Sequence, residues 1–232
     1  MSRIKMTSII ALAFVSGLVG SSASGQQGDL RPETPQAPTG YLLIEEERWN
    51  LLADEPGQHF GRARDAFLMM DARNAARELR KAAVHVRVAA EHAKDRTRRS
   101  LVKSEHELEQ LAQQIEAGTF RSIEEFDFAT SRALHALASD QYAKAADSWR
   151  KRELRQAGHY LRASTDNLER AAARTDAGVR HATATVVKDT RFISGKLIEG
   201  TGLMIDEVGD GFETFGRAIE KVGARVETTT QR

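Results

Sequence analysis

Cysteine is absent from the chain of 232 residues. Its absence excludes disulfide bonds, thiolate metal ligands, a catalytic thiol and a lipid-modified N-terminal cysteine. The fold must therefore depend on its buried core. A chain of this length can bury a sizeable core without covalent cross-links.

Proline is scarce and confined to the first quarter of the chain. The sequence contains four prolines, and none follows Pro56. Proline interrupts helices, and the remaining residues are rich in Ala, Leu, Arg, Glu and Lys, so long helices are expected from there to the C-terminus. The composition therefore predicts an all-α fold, which we expect to be an antiparallel helical bundle.

Aromatic residues and an excess of charge of one sign are lacking as well. Only 6% of the residues are aromatic, and 34 basic residues stand against 33 acidic ones. Few aromatic side chains are left for stacking on bases, and a nearly neutral chain has little general attraction for phosphate backbones. We therefore expect no nucleic-acid partner.

The N-terminus carries an apolar run, residues 6–20, preceded by Arg3 and Lys5 and followed by small residues up to Gly25. This order is typical of a secretory signal peptide. A membrane anchor is the alternative, but the run is shorter than the ~20 residues that span a bilayer. We therefore expect residues 1–25 to be a signal peptide and the protein to be exported to the periplasm or the cell exterior.

Three further regions follow the predicted signal peptide. Residues 26–40 hold three of the four prolines and predict a disordered linker. Residues 41–175 predict a helical bundle domain, and residues 176–232 predict an amphipathic heptad helix and a tail. From breaks at Pro56-Gly57, Asp71 and Gly118, and from a capping box at Ser122 and Glu125, we expect helices over the following ranges. These are 41–53, 57–70, 72–117, 122–151 and 153–175, with a further helix beyond them.

Two segments of the predicted bundle match at an offset of 82 residues. The first is 65–80 and the second is 147–162. The matched pairs are Asp65 with Asp147, Phe67 with Trp149, Asp71 with Glu153, Arg73 with Arg155, Ala75 with Ala157, Leu79 with Leu161 and Arg80 with Arg162. An aromatic residue, an acidic helix cap and a pair of small residues recur together. The match therefore favours two similar long αα-hairpins over chance similarity between Ala/Arg-rich helices.

The repeated turn resembles the helix–turn–helix of tetratricopeptide proteins, and the paired hairpins are similar to those of uncharacterised exported bacterial all-helical proteins. The resemblance covers the turns alone. The offset of 82 differs from the tetratricopeptide period of ~34 residues, and the Trp-Leu-Gly-Tyr pattern of that repeat is absent. The resemblance implies a helical-hairpin architecture and carries over no functional residue.

The C-terminal region contains a heptad pattern that begins with glycine. Large apolar residues take the fourth and seventh places, so residues 195–226 predict one helix with glycine beside apolar side chains. The predicted interaction residues are Gly195, Ile198, Gly202, Ile205, Gly209, Phe212, Gly216, Ile219 and Gly223. Each glycine costs a helix roughly 1 kcal/mol relative to alanine, so this helix should require a partner surface.

Three partners for this helix are open. The first is the protein's own bundle. The second is another protein chain or a second copy, through a coiled coil or a helix-in-groove contact. The third is a membrane surface, which is disfavoured because residues 195–227 contain four basic and seven acidic side chains.

No catalytic or cofactor motif occurs in the sequence, so no enzyme activity and no cofactor is expected. Seven histidines are present, but none forms a His-x-x-x-His or Glu-x-x-His pair, so no metal site is predicted. His85 and His92 share a helix face but lie about 10 Å apart along its axis, too far to bind one ion.

Basic residues form two clusters, Lys94–Arg99 with Lys103 and Arg150–Arg152 with Arg155. They predict either a site for an anion or acidic partner, or solvated helix faces. The neighbouring acidic residues favour solvated faces.

The predicted function is that of an exported, non-enzymatic helical scaffold or interaction protein that works through helix–helix packing. The alternative, from a different class, is a periplasmic ligand or metal carrier with a pocket between helices.

Overall fold

The computed structural model describes residues 9–13, 41–202 and 204–228, and the side chains from Pro56 onward. The chain divides into two compact units, residues 1–52 and 53–232. In the first unit, strand β1 (Ile9–Ala13) pairs antiparallel with strand β2 (Tyr41–Glu45). Strand β1 lies inside the predicted signal peptide, whereas the predicted linker lies outside the described residues.

The described residues form seven α-helices, which confirms the predicted all-α bundle. The helices are α1 (Glu46–Leu68), α2 (Ala72–Glu91), α3 (Asp95–Glu116), α4 (Ile123–Arg150), α5 (Leu154–Ala173), α6 (Ala177–Glu199) and α7 (Ile205–Thr228). Helix α7 contacts α4, α5 and α6, and α4 also packs against α2, α3 and α5. None of the described helices is both long enough and apolar enough to cross a membrane.

The start of the first predicted helix was wrong. Residues 41–45 are the strand β2, and the helix begins only at Glu46. A short apolar run such as Tyr-Leu-Leu-Ile does not distinguish strand from helix by periodicity. Its pairing with the apolar β1 decides the conformation.

The predicted helix end at Pro56-Gly57 was also wrong, because α1 continues through both residues to Leu68. Both residues are buried. The Arg170 guanidinium group occupies the space where a Cβ on Gly57 would lie, so this position requires a glycine.

A third correction concerns residues 72–117, which form two helices instead of one. The chain leaves helix α2 at His92 and enters α3 after Lys94, although neither glycine nor proline stands there. Arg98 Nε donates a hydrogen bond to the carbonyl oxygen of Ala90 at 3.2 Å. A side chain therefore satisfies a carbonyl at the end of α2 that a continuous helix would otherwise have bonded.

The two turns at the predicted duplication have the same backbone. The N–H of Asp71 donates to Ala66 O, and the N–H of Glu153 donates to Ser148 O, both at 2.9 Å. Each bond spans a left-handed residue, Met70 (φ 59°) in the first turn and Arg152 (φ 61°) in the second. Both turns are therefore Schellman caps in which a non-glycine residue takes the position that usually favours glycine.

The duplication extends far beyond these turns. The starts of three helix pairs are separated by the same 82 residues, namely α2 and α5, α3 and α6, and α4 and α7. Gly118 and Gly200 have the same separation and matching φ angles of 70° and 69°. The protein is thus built from a three-helix unit, α1–α3, that is repeated as α4–α6, and α7 corresponds to the first helix of a third unit.

The first helix of each unit packs antiparallel against the first helix of the next. Phe67 at the end of α1 stacks on Phe126 at the start of α4, with ring centroids 5.3 Å apart. Trp149 at the end of α4 stacks on Phe212 near the start of α7 at 6.2 Å. Helix α4 is therefore central, and its neighbours on both sides are related by the repeat.

Close packing of α5 against α6 depends on Gly158. A Cβ at this position would lie 2.8 Å from the backbone oxygen of Ser194 and 2.9 Å from the backbone nitrogen of Ile198. Gly209, in contrast, has nothing within 4 Å of the equivalent point.

We expect Gly158→Ala to lower the free energy of unfolding by about 1–2 kcal/mol, because overpacking outweighs the better helix propensity of alanine. Gly209→Ala is the matched control and should raise that free energy by up to about 1 kcal/mol. Urea denaturation measures both changes. Shifts of the same sign in the two variants would contradict the close helix crossing.

Candidate functional site

The heptad glycines do not lie on one continuous helix, so that prediction was wrong. Helix α6 ends at Glu199 and α7 begins at Ile205. Gly200 and Gly202 between them have φ angles of 69° and 64°. Glycine adopts this left-handed conformation without steric cost, so one of the predicted heptad positions, Gly202, ends a helix instead of continuing it.

Helix α7 buries its apolar stripe against the protein's own bundle. The buried residues of the stripe are Val208, Phe212, Phe215, Ile219, Val222 and Val226. Gly216 and Gly223 permit this approach, because a Cβ on either would lie 2.8 Å from Tyr142 Oη and 2.6 Å from the His135 ring, respectively. Of the three partners predicted for this region, the structure places the bundle itself against these residues.

Polar bonds reinforce the contact between α4 and α7. The Tyr142 hydroxyl donates to Phe212 O, and His135 Nε2 lies 2.9 Å from Ile219 O, to which its N–H donates. Burial lowers the pKa of His135, so the neutral imidazole that this contact needs is favoured.

The remaining predicted interaction residues do not join this contact as a group. Gly195 and Gly209 have open space beside them, and Ile198 is half-buried. Ile205 is 75% exposed at the start of α7. The nine predicted residues are therefore divided between α6, a loop and α7, and they do not form one surface.

The outer face of α7 differs from the corresponding face of α4. Ser131 and Ala138 of α4 are fully buried, whereas their counterparts in the repeat, Glu213 and Glu220 of α7, are exposed. A charged outer face is typical of the terminal element of a repeat array. This charge disfavours the addition of a further helix or a second copy on that face of α7.

A polar cluster is buried between α1 and α2. The Glu78 carboxylate accepts hydrogen bonds from His59 Nδ1 at 2.7 Å, Arg62 Nε at 3.1 Å and Lys81 Nζ at 2.8 Å. Burial alone would raise the pKa of Glu78, but bonds from Lys81, His59 and Arg62 outweigh it and lower the pKa to about 2. His59 and Glu78 are both buried, so the cluster joins the two helices and does not face a substrate.

The fold brings two histidines together without forming a metal centre. The His59 and His85 rings stack with centroids 5.6 Å apart. Within the described part of the chain, no group of three or more His, Asp or Glu side chains could hold a metal ion.

An apolar cleft lies where the α1–α2 turn meets the α3–α4 loop. Its volume is about 320 Å³. The apolar side chains that line it are Phe67, Leu68, Met70, Ala72, Ile115, Phe120 and Ile123. We call this feature the methionine cleft, because Met70 forms its rim and Met69 lies next to it in the sequence.

The rim of the methionine cleft is unusually exposed for apolar residues. Leu68, Met69 and Met70 are 54%, 80% and 92% exposed. Met70 is also the residue held at a positive φ, a conformation that costs a non-glycine residue roughly 1–2 kcal/mol. The fold thus keeps a strained and solvated apolar side chain at the apex of this turn.

One cation borders the methionine cleft. Arg121 lines it and is exposed, and it forms no ion pair within the described residues. A guanidinium group at the edge of an apolar cleft can bind a carboxylate of whatever enters the cleft.

The sequence analysis missed the methionine cleft, although a signal for it was present. The duplicated turn reads Leu68-Met69-Met70 in the first unit and Arg150-Lys151-Arg152 in the second. The backbone is the same in both, so the difference in chemistry is not required by the turn.

Comparisons of the chain with protein-family models, curated proteins and solved structures found no match. Function is therefore inferred from the surfaces described above.

Proposed function

We propose that the chain is an exported, non-enzymatic helical scaffold or interaction protein that binds an apolar segment of a partner protein in the methionine cleft. The observation that carries the proposal is the exposure of Leu68, Met69 and Met70 beside an open apolar cleft. Exposed apolar patches next to a cleft mark binding sites, because leaving them in water is unfavourable.

The side chains of the rim suit a peptide partner. Methionine is flexible and polarisable, so Met69 and Met70 can adapt to different apolar side chains. Arg121 adds one directional contact. We infer that the partner presents large apolar residues with a carboxylate beside them, as an amphipathic helix or an extended segment would.

Protein association through the C-terminal helix stays a prediction. The apolar stripe of α7 is buried in the chain's own bundle, which favours the methionine cleft as the surface that meets a partner. A ligand carrier remains the second candidate, favoured by the volume of about 320 Å³, which falls within the range of small-molecule sites.

The test of the proposal is a photo-reactive side chain at position 69 in the full chain, expressed in its native cells. We expect it to cross-link to a protein, because an apolar segment seated in the methionine cleft would contact this rim. The same probe at position 151, the equivalent point of the second turn, is the matched control. A small-molecule adduct would favour the carrier, and equal yields at both positions would contradict the proposal.

Affinity for the partner identified in this way gives the quantitative result. Met69→Ser combined with Met70→Asn should weaken binding at least about 10-fold, because each methionine contributes roughly 1.5 kcal/mol or more when buried. Asparagine is chosen at position 70 because it tolerates the left-handed conformation. Arg152→Asn, at the matching backbone position of the second turn, should leave the affinity unchanged.

A further inference from the structure

The two basic clusters of the sequence meet at one end of the bundle. Lys94, at the α2–α3 junction, places its Nζ 3.3 Å from Asp147 Oδ1 near the end of α4. The same carboxylate contacts Arg150 at 3.1 Å and Lys151 at 3.1 Å. One acidic side chain therefore contacts cations from both clusters, and we call the surface formed by residues 94–99 and 150–155 the cationic end.

Positive charge at the cationic end greatly exceeds negative charge. Its two segments contain eight basic and two acidic residues. Arg96, Arg99 and Arg152 are exposed and make no hydrogen bond or ion pair with the described residues. Bonds from Lys151 and Lys94 hold the pKa of Asp147 below its usual value, so this carboxylate stays ionised and is already shared.

Arg152 occupies the apex of its turn under the same strain as Met70. Its φ is 61°, where glycine or asparagine would be less strained. The repeated turn thus presents an apolar side chain at one end of the bundle and a cation at the other. Because the backbone is the same, neither side chain is explained by the turn itself.

We propose that the cationic end docks on the surface of an anionic phospholipid bilayer. The unpaired guanidinium groups are spread over two helix junctions and do not converge on one point, which fits a surface with many phosphates. No aromatic side chain stands in residues 94–99 or 150–155, so a base-stacking contact with nucleic acid is not provided.

The neighbouring α6–α7 junction adds apolar contact but no positive charge. Met204 and Ile205 are 67% and 75% exposed there. Of the acidic residues that follow, Glu207 is paired with Lys196 at 3.1 Å, and Asp206 is exposed. The disfavoured membrane contact predicted from the sequence concerned these heptad residues, and the cationic end lies on other helices.

Vesicle co-sedimentation of the full chain tests the proposal, with phosphatidylcholine vesicles that either contain or lack phosphatidylglycerol. The chain should sediment with the anionic vesicles at low salt and be released at high salt. Arg96→Gln, Arg99→Gln and Arg152→Gln together should weaken this binding roughly 100-fold, since each basic residue near an anionic surface contributes about 1 kcal/mol.

The matched control removes three exposed arginines elsewhere, by Arg73→Gln, Arg180→Gln and Arg217→Gln, and should bind like the unmodified chain. All three proteins carry the same N-terminal apolar run, so its insertion cannot produce the difference. Equal losses in both variants, or equal binding to neutral and anionic vesicles, would overturn the proposal. Binding to soluble polyglutamate or heparin without binding to vesicles would replace the bilayer with a soluble polyanion and overturn it as well.

Discussion

Replacing Phe215 by alanine should lower the free energy of unfolding by about 3–5 kcal/mol, the usual cost of removing a fully buried phenylalanine. Phe215 is fully buried, and its ring meets Tyr142 edge-on at 5.9 Å. The contact lies at the centre of the stripe by which α7 packs on α4. Chemical denaturation measures the loss, and Thr214→Ala, on the exposed face of the same turn, should change the free energy by less than about 0.5 kcal/mol.

The loss at Phe215 should be concentrated in α7. This helix contains Gly209, Gly211, Gly216 and Gly223, each of which lowers its intrinsic stability by roughly 1 kcal/mol relative to alanine. Without the Phe215 contact we expect α7 to open before the rest of the bundle. Hydrogen exchange should then be faster over residues 205–228 than over α4. Equal acceleration in both helices would contradict separate opening and indicate that α7 unfolds with the core.

Helix type could be predicted from the sequence because local composition decides it in most of this chain. The predicted ranges 122–151 and 153–175 match α4 and α5 closely. The capping box was also right, since the Glu125 N–H donates to the Ser122 side chain at 3.2 Å. Alanine-rich segments with few glycines and no prolines leave little alternative to a helix.

The break between α2 and α3 could not be predicted from local signals. Residues 92–94 are His-Ala-Lys, none of which is a helix breaker. The break follows from the three-helix unit, since its counterpart between α5 and α6 lies 82 residues later. There Asp176 accepts a hydrogen bond from the Val179 N–H and marks the start of α6 clearly. Extending the offset found at the turns along the chain would therefore have located the break.

The heptad glycines were misinterpreted for a different reason. A regular spacing of seven was taken as a helix face, whereas Gly202 stands in the loop between units, as does Gly200. The counterpart of Gly200 in the first unit is Gly118, which was predicted correctly to end a helix. The spacing alone could not separate glycines that end a helix from those, such as Gly216 and Gly223, that allow two helices to approach.

The methionine cleft and the cationic end depend on tertiary structure. Leu68 to Met70 read as the end of a helix, and the cleft forms only when the α3–α4 loop brings Phe120 beside them. Likewise, the two basic clusters are more than 50 residues apart in the sequence and meet through Asp147. Composition indicated that both sets of side chains were unusual for solvated turns, but the fold was needed to show what surrounds them.

Removing the carboxylate of Glu78 should destabilise the contact between α1 and α2 by about 3–5 kcal/mol, because a buried ion pair loses one partner while the other stays. In Glu78→Ala, the buried His59 loses the acceptor of its 2.7 Å hydrogen bond, and the positive charges of Arg62 and Lys81 are left beside each other. Glu105→Ala, whose nearest cation is 3.7 Å away, is a suitable control and should cost about 1 kcal/mol or less.

Acid titration of stability gives an independent measure of the same carboxylate. The pKa of Glu78 is lowered in the folded protein from 4.5 to about 2, so the unfolded chain binds the proton more readily. The stabilisation from Glu78 should therefore be fully present above about pH 4.5 and be lost as the pH falls from there toward 2. Urea denaturation at a series of pH values should show a weaker fall in this window for Glu78→Gln than for the unmodified chain. Parallel pH profiles for the two proteins would contradict the low pKa and the three hydrogen bonds that cause it.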